Sequence, residues 1–95
     1  MNIEFLPISK LELDDAIGYY ELQLEGLGKR YKEEVRISLN RISIFPKAWS
    51  VIRPNIRKCV MHKFPYNILY SIHGNTVLVI AIAHHHRRPN YWVNR

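Results

Sequence analysis

The stretch Asn67-Ile68-Leu69-Tyr70-Ser71-Ile72-His73-Gly74-Asn75-Thr76-Val77-Leu78-Val79-Ile80-Ala81-Ile82-Ala83 reads as two β-strands joined by a tight turn. Gly74 supplies the positive φ that a short hairpin loop requires, and runs rich in Val, Ile and Tyr flank it. Val77 to Ala83 has no polar residue at any alternating position, which predicts a central strand covered on both faces. The run from about Asn67 to Ile72 alternates less cleanly and is expected beside it. A hairpin of this kind needs other elements to cover it, so the rest of the chain is read for those covers.

Immediately upstream, the pattern is β-like from Ile56, and Phe64-Pro65-Tyr66 breaks that strand because proline has no ladder donor. The last third is therefore expected to be a three-stranded antiparallel meander. At the other end, Asn2-Ile3-Glu4-Phe5-Leu6 alternates apolar and polar residues and stops at Pro7, as a short strand able to join an edge of the sheet. Ser9-Lys10-Leu11-Glu12 has the spacing of a capping box and predicts the start of a helix. Leu13, Ala16, Ile17, Tyr20 and Leu24 fall on one face of it, and Gly26 is placed to end it in a left-handed cap. A second helix is expected from about Lys29 to Phe45, with Tyr31, Val35, Leu39, Ile42 and Phe45 as its buried stripe and Pro46 as its stop. So short a linker predicts a helical hairpin. Pro46 to Asn55 is expected to be the one long loop, with Trp49 over the edge of the core. The fold class is α+β, a single domain over residues 1–95: N-terminal strand, helical hairpin, then three-stranded antiparallel meander.

Fourteen Lys and Arg stand against eight Asp and Glu, a net charge of +6 that favours polyanionic partners, whether nucleic acid or an acidic protein segment. A single cysteine, Cys59, cannot close an internal disulfide, and mid-strand it reads as a buried, inert thiol. There is neither a leader pattern nor an apolar run near the ~20 residues that span a bilayer, so a cytoplasmic, soluble protein is expected.

Candidate chemistry concentrates after Arg57. His84, His85 and His86 invite a metal reading, but adjacent residues on an extended chain alternate sides, so only His84 and His86 share a face. Without Cys-x-x-Cys or His-Glu-x-x-His spacing, neither a metal nor a cofactor is expected. No Asp or Glu follows Glu34, which leaves a surface of Arg, Lys, His and Tyr suited to an anion. On a phosphodiester, guanidinium groups would stabilise charge while His84, Tyr91 or Lys63 moved protons. The same groups could hold a nucleic acid or an acidic partner without reaction, and the residues alone favour binding over catalysis. Three guanidinium groups near one sheet end repel unless an anion answers them. Phe64, Tyr66, Tyr70 and Trp92 read first as packing residues.

Taken in order, Tyr19-Tyr20, Gly26-Leu27-Gly28, Arg57, Phe64-Pro65-Tyr66-Asn67-Ile68-Leu69-Tyr70, Ile80-Ala81-Ile82-Ala83-His84, Arg87-Arg88-Pro89 and Tyr91-Trp92 resemble the RelE/ParE superfamily of toxins from type II toxin-antitoxin modules, often labelled plasmid stabilisation proteins. The resemblance covers nearly the whole chain. It implies a growth-inhibiting toxin on a compact α+β domain, neutralised by a cognate antitoxin protein. ParE-like members act on DNA gyrase; RelE-like members cleave mRNA on the ribosome with Arg, Lys and Tyr side chains. By position, Arg57 matches the basic residue on the first meander strand, Arg87 or Arg88 the one after the last strand, Tyr91 the C-terminal tyrosine and Lys63 approximately a lysine of the nuclease branch. The Phe-Pro-Tyr and His-x-x-Arg-Arg-Pro signatures are more typical of the ParE-like branch. A gyrase or other protein target is thus the first expectation, with Arg57, Arg87, Arg88 and Trp92 meeting target or antitoxin. A ribosome-dependent nuclease using Arg57, Lys63, His84, Arg87, Arg88 and Tyr91 is the alternative, and a non-toxic nucleic-acid-binding module the residual one.

Overall fold

The computed structural model describes residues 1–95. Its elements are β1 (Asn2–Phe5), α1 (Pro7–Gln23), α2 (Leu27–Ile44), β2 (Ser50–Arg53), β3 (Ile56–Val60), β4 (Tyr66–His73) and β5 (Thr76–His84). They form one five-stranded sheet in the order β1-β5-β4-β3-β2, with the helical hairpin on one face. β1 pairs parallel to β5 and all other pairs are antiparallel. The expected α+β architecture is present, enlarged by one strand: Ser50–Arg53 lies inside the segment expected to be loop. Its side chains are all exposed, so it carries no alternation to read, and the turn back to β3 is made at Asn55 with φ 59°.

α1 begins at Pro7 and not at a Ser9 cap. Proline has no N–H to lose in a first turn and its ring holds Leu6 extended, at ψ 145°. Ser9 is therefore inside the helix, buried, with Oγ 2.9 Å from the carbonyls of both Leu6 and Val79. Glu12, the other half of the expected capping box, is drawn away to the end of the chain. Gly26 is left-handed as expected (φ 85°), yet it opens α2, because α1 has already ended in the extended residue Leu24. The Glu21 carboxylate accepts the N–H of Gly26 at 2.9 Å and of Gly28 at 3.1 Å, an anion placed at the positive end of α2.

The helices meet at Gly28. A Cβ there would lie 2.5 Å from Ile17 O and 3.0 Å from Glu21 Cβ, so no side chain fits without driving the hairpin apart. Gly28→Ala is expected to cost about 1–3 kcal/mol by overpacking, read as a lowered urea midpoint. Beneath the hairpin, Tyr31, Val35, Ile42, Ile68, Tyr70, Val77 and Val79 form the main core. Burial desolvates the Cys59 thiol within it and pushes its pKa up to about 11, the state of an unreactive cysteine.

β5 is covered on both faces, as its composition predicts, but it is not regular. The register with β4 runs from Leu69 opposite Ala81 to Tyr70 opposite Val79, leaving Ile80 as an extra residue in a bulge. Val77 and Val79 face the helices, Ile80 and Ala81 join Leu69 and Trp92 in a small cluster on the other face, and Ile82 returns to the helix side. The bulge therefore puts His84 on the helix side of the sheet, where unbroken alternation from Val77 would have put Ala83.

Candidate functional site

Beyond β5, residues 85–95 form a chain of turns without a helix, packed against the sheet end. The last residue, Arg95, ties it down. Its guanidinium donates to Glu12 Oε1 at 2.6 Å and Oε2 at 2.9 Å, and to Ile80 O at 3.1 Å. Tyr91 OH donates to Glu12 Oε2 at 2.5 Å and the Ile82 N–H to Oε1 at 3.1 Å. One carboxylate from α1 thus gathers groups from β5, Tyr91 and the chain end. Arg87 lies over one side of the Tyr91 ring at 4.1 Å and Arg95 stacks on it at 5.0 Å. Burial, and then the bond to Glu12 with its charge, raise the Tyr91 pKa well above the ordinary phenol value; the two guanidiniums oppose this.

Two clefts flank this segment. One, of about 250 Å³, lies between α1 and the β4–β5 ends and is lined by Glu12, Asp15, Tyr19, Tyr66, His84 and Arg87 among others. The second, about 230 Å³, lies on the open face of the sheet, with Lys58, Asn67, Leu69, Arg88, Asn90 and Trp92 in its wall. His84 and Arg87 border both.

Of the residues singled out in sequence, His84, Arg87, Arg88, Tyr91 and Trp92 come together here. Arg57 does not: it donates to Lys47 O at 3.0 Å and Trp49 O at 2.7 Å, holding the loop before β2 beside Tyr70, whose OH donates to Pro46 O at 2.6 Å. These bonds hold the Arg57 guanidinium against the loop, a placement its position on a meander strand did not suggest. Lys63 is 3.3 Å from Glu34, in a separate groove with Phe64 and Arg30. Trp92 is buried against Leu69, Ile80 and Ala81, with Arg53 5.9 Å from its ring, so it forms the wall of the open-face cleft and is not a projecting platform. Sequence reasoning missed Glu12, Arg95, Lys58 and Asn67. The alternation of β3 could have placed Lys58 opposite the inward Cys59, but nothing local marks the others.

The imidazoles of His84 and His86 do share a side, with ring centroids 5.3 Å apart. The His86 N–H donates to His84 Nδ1 at 3.0 Å, so the neutral ring carries its proton on Nε2. Burial, then the charges of His86 and His85, lower the His84 pKa. The unfolded chain binds this proton more readily than the fold does, so His84 contributes stability above the ordinary imidazole pKa of ~6.5 that is lost as pH falls through its lowered folded value. In urea titrations at neutral and mildly acidic pH, the parent midpoint is expected to fall more than that of His84→Gln.

No three His, Cys, Asp or Glu side chains converge as a metal site would require. No helix is long and apolar enough to cross a membrane.

A family profile described as "ParE toxin of type II toxin-antitoxin system, parDE" matches residues 3–89. Among solved structures, the fold is similar to one described as "Chromosomal ParDE TA system from P. aeruginosa", with a TM-score of 0.63 at 13% identity over 88% of this chain and 95% of that one. No protein of curated function matches the chain by sequence.

Proposed function

The chain belongs to the ParE toxin family of type II toxin-antitoxin systems, and from that premise we propose that it arrests growth in the cytoplasm by acting on DNA gyrase and is held inactive by a cognate antitoxin. The observation that carries this reading is that the set a nuclease would need is incomplete at the sheet end: His84, Arg87, Arg88 and Tyr91 share the cleft, while Arg57 and Lys63 stand apart from it and the phenol is tied up. Arg57 is bound to loop carbonyls, Lys63 is beside Glu34 in another groove, and the Tyr91 proton is held by Glu12. What faces solvent at the sheet end is Arg87, Arg88 and the imidazoles, a surface for binding an anionic partner. Tyr91 is also a poor candidate for proton transfer, since a raised pKa moves it further from neutral pH. An acidic antitoxin segment, disordered when free, would find its complement in Lys58, Arg87 and Arg88, in the open-face cleft that no carboxylate lines.

Induction without the neighbouring gene product is expected to arrest growth, with gyrase trapped on DNA and transcripts of full length. Codon-phased mRNA breaks would transfer the protein to the nuclease branch, and normal growth at good soluble expression would remove the active-toxin reading. Tyr91→Phe is a sharper discriminator. It gives up one hydrogen bond to a carboxylate, worth about 1.5–3 kcal/mol, and is expected to keep arresting growth in a plating assay. Loss of a proton-transfer group would instead slow a nuclease by about 10²- to 10⁴-fold.

A further inference from the structure

β1 leaves one side of its backbone without a partner. Asn2 and Leu6 donate their N–H groups to Asn75 O at 3.0 Å and Val79 O at 3.1 Å, in a parallel register with β5 that runs unbroken from Asn2 opposite Thr76 to Phe5 opposite Val79. Backbone groups alternate sides along a strand, so Ile3 and Phe5 turn N–H and C=O away from β5, to the free edge of the sheet. Beside that edge a groove of about 230 Å³ separates β1 from α2, walled by Met1, Ile3, Leu39, Asn40 and Ser43 among others. A strand laid on the edge would pair the free backbone groups and put an apolar side chain next to Ile3 and Leu39.

The strand that fits is β1 itself. In an antiparallel register with Ile3 opposite Ile3, these two residues exchange both backbone bonds, and Met1 of each copy meets Phe5 of the other on the helix face. On the open face the same register sets Asn2 opposite Glu4, twice. A slip of two residues would set Glu4 against Glu4, which like charge disfavours. An acidic peptide would meet Glu4 in the same way, whereas a second copy answers it with an amide. The other edge of the sheet is less suited. β2 is bulged between Val51 and Arg53 and lies against Arg57 and Lys58, so two copies joined there would gather cations in a chain whose net charge is already +6.

We infer that the chain self-associates through β1, with Ile3 opposite Ile3 across a two-fold axis, continuing the five-stranded sheet into a second copy. This interface stands independently of the toxin reading above.

Sedimentation equilibrium of the full chain across a wide concentration range reads the association, and one pair of short strands is expected to give a dimer that dissociates on dilution. Asn2 and Glu4 are exposed in the single chain, so substitutions there leave the core untouched. Asn2→Lys turns both amide–carboxylate pairs into ion pairs and is expected to tighten the dimer about 2- to 30-fold, although it raises the net charge. Asn2→Glu sets carboxylate against carboxylate and is expected to loosen it by a similar factor, although it lowers the net charge. General repulsion between basic chains gives the reverse order; that order, or a parent monomeric at every concentration, overturns the proposal. The register is read by oxidising an equimolar mixture of Asn2→Cys and Glu4→Cys chains, since directly opposed residues of this pair lie about 4.5 Å apart at Cα, within disulfide reach. Cys59 is buried and does not compete. A disulfide-linked heterodimer in excess over both homodimers is expected, and a statistical mixture, or a predominant Glu4→Cys homodimer, overturns the Ile3-centred pairing.

Discussion

Glu12→Ala is expected to destabilise the protein by about 3–5 kcal/mol, a large share of the stability of a domain this size. Glu12 and Arg95 are only 13% and 10% exposed at their side chains, and the carboxylate accepts from Arg95, Tyr91 and the Ile82 N–H. Truncation leaves a guanidinium, a phenol and a strand amide together in a poorly solvated place, and it is this stranded charge that makes breaking such a pair costly. The exposed Lys10–Asp14 and Arg36–Glu33 pairs contribute far less, since water already solvates their partners. The check is a urea titration of Glu12→Ala beside Glu12→Ala with Arg95→Met. The double variant is expected to recover part of the loss, because the charge without a partner has gone. If Glu12→Ala cost under about 1 kcal/mol, or the second substitution only added to the loss, the carboxylate would not be the tie that holds residues 85–95.

The same residue shows where sequence reading succeeds and where it stops. Val77 to Ala83, the Gly74 turn and the helical hairpin were legible because each is set by local pattern: an apolar run, a positive φ, a stripe at helical spacing. Ser9 and Glu12 also form a local pattern, but Pro7 pre-empted the helix start and Glu12 found its partners in Ile82, Tyr91 and Arg95, far along the chain. A short signature cannot register a competitor so distant in sequence. The facing of His84 was hidden for another reason: an apolar strand buried on both sides carries no phase, so the extra residue at Ile80 leaves no trace in composition. Arg57 looked like part of the working surface because a charge on a strand has few internal answers. Its answers here are backbone carbonyls of a loop, which sequence does not advertise.

Arg87→Ala combined with Arg88→Ala is expected to weaken partner binding by about 10²-fold or more and to abolish growth arrest, while leaving the fold nearly unchanged. Both side chains are exposed, and neither is in an ion pair. The loss to the fold is the stacking of Arg87 on Tyr91, 4.1 Å away, worth about 0.5–1 kcal/mol at an exposed site. The loss to binding is larger because the partner's anions would be desolvated in the complex and left without donors, and buried arginines are where interfaces concentrate their affinity. Arg87→Lys with Arg88→Lys separates charge from shape: an ammonium keeps the attraction at long range but cannot stack on Tyr91 or make a paired bond to a carboxylate, so partial activity is expected. The measurements are survival after induction, antitoxin or gyrase binding at two salt concentrations, and a urea titration. Affinity of the parent should fall more steeply with salt than that of the double alanine variant. Growth arrest at the parental level by a stably folded double alanine variant would place the working surface elsewhere, with Lys63 and the groove beside α2 the next region to test.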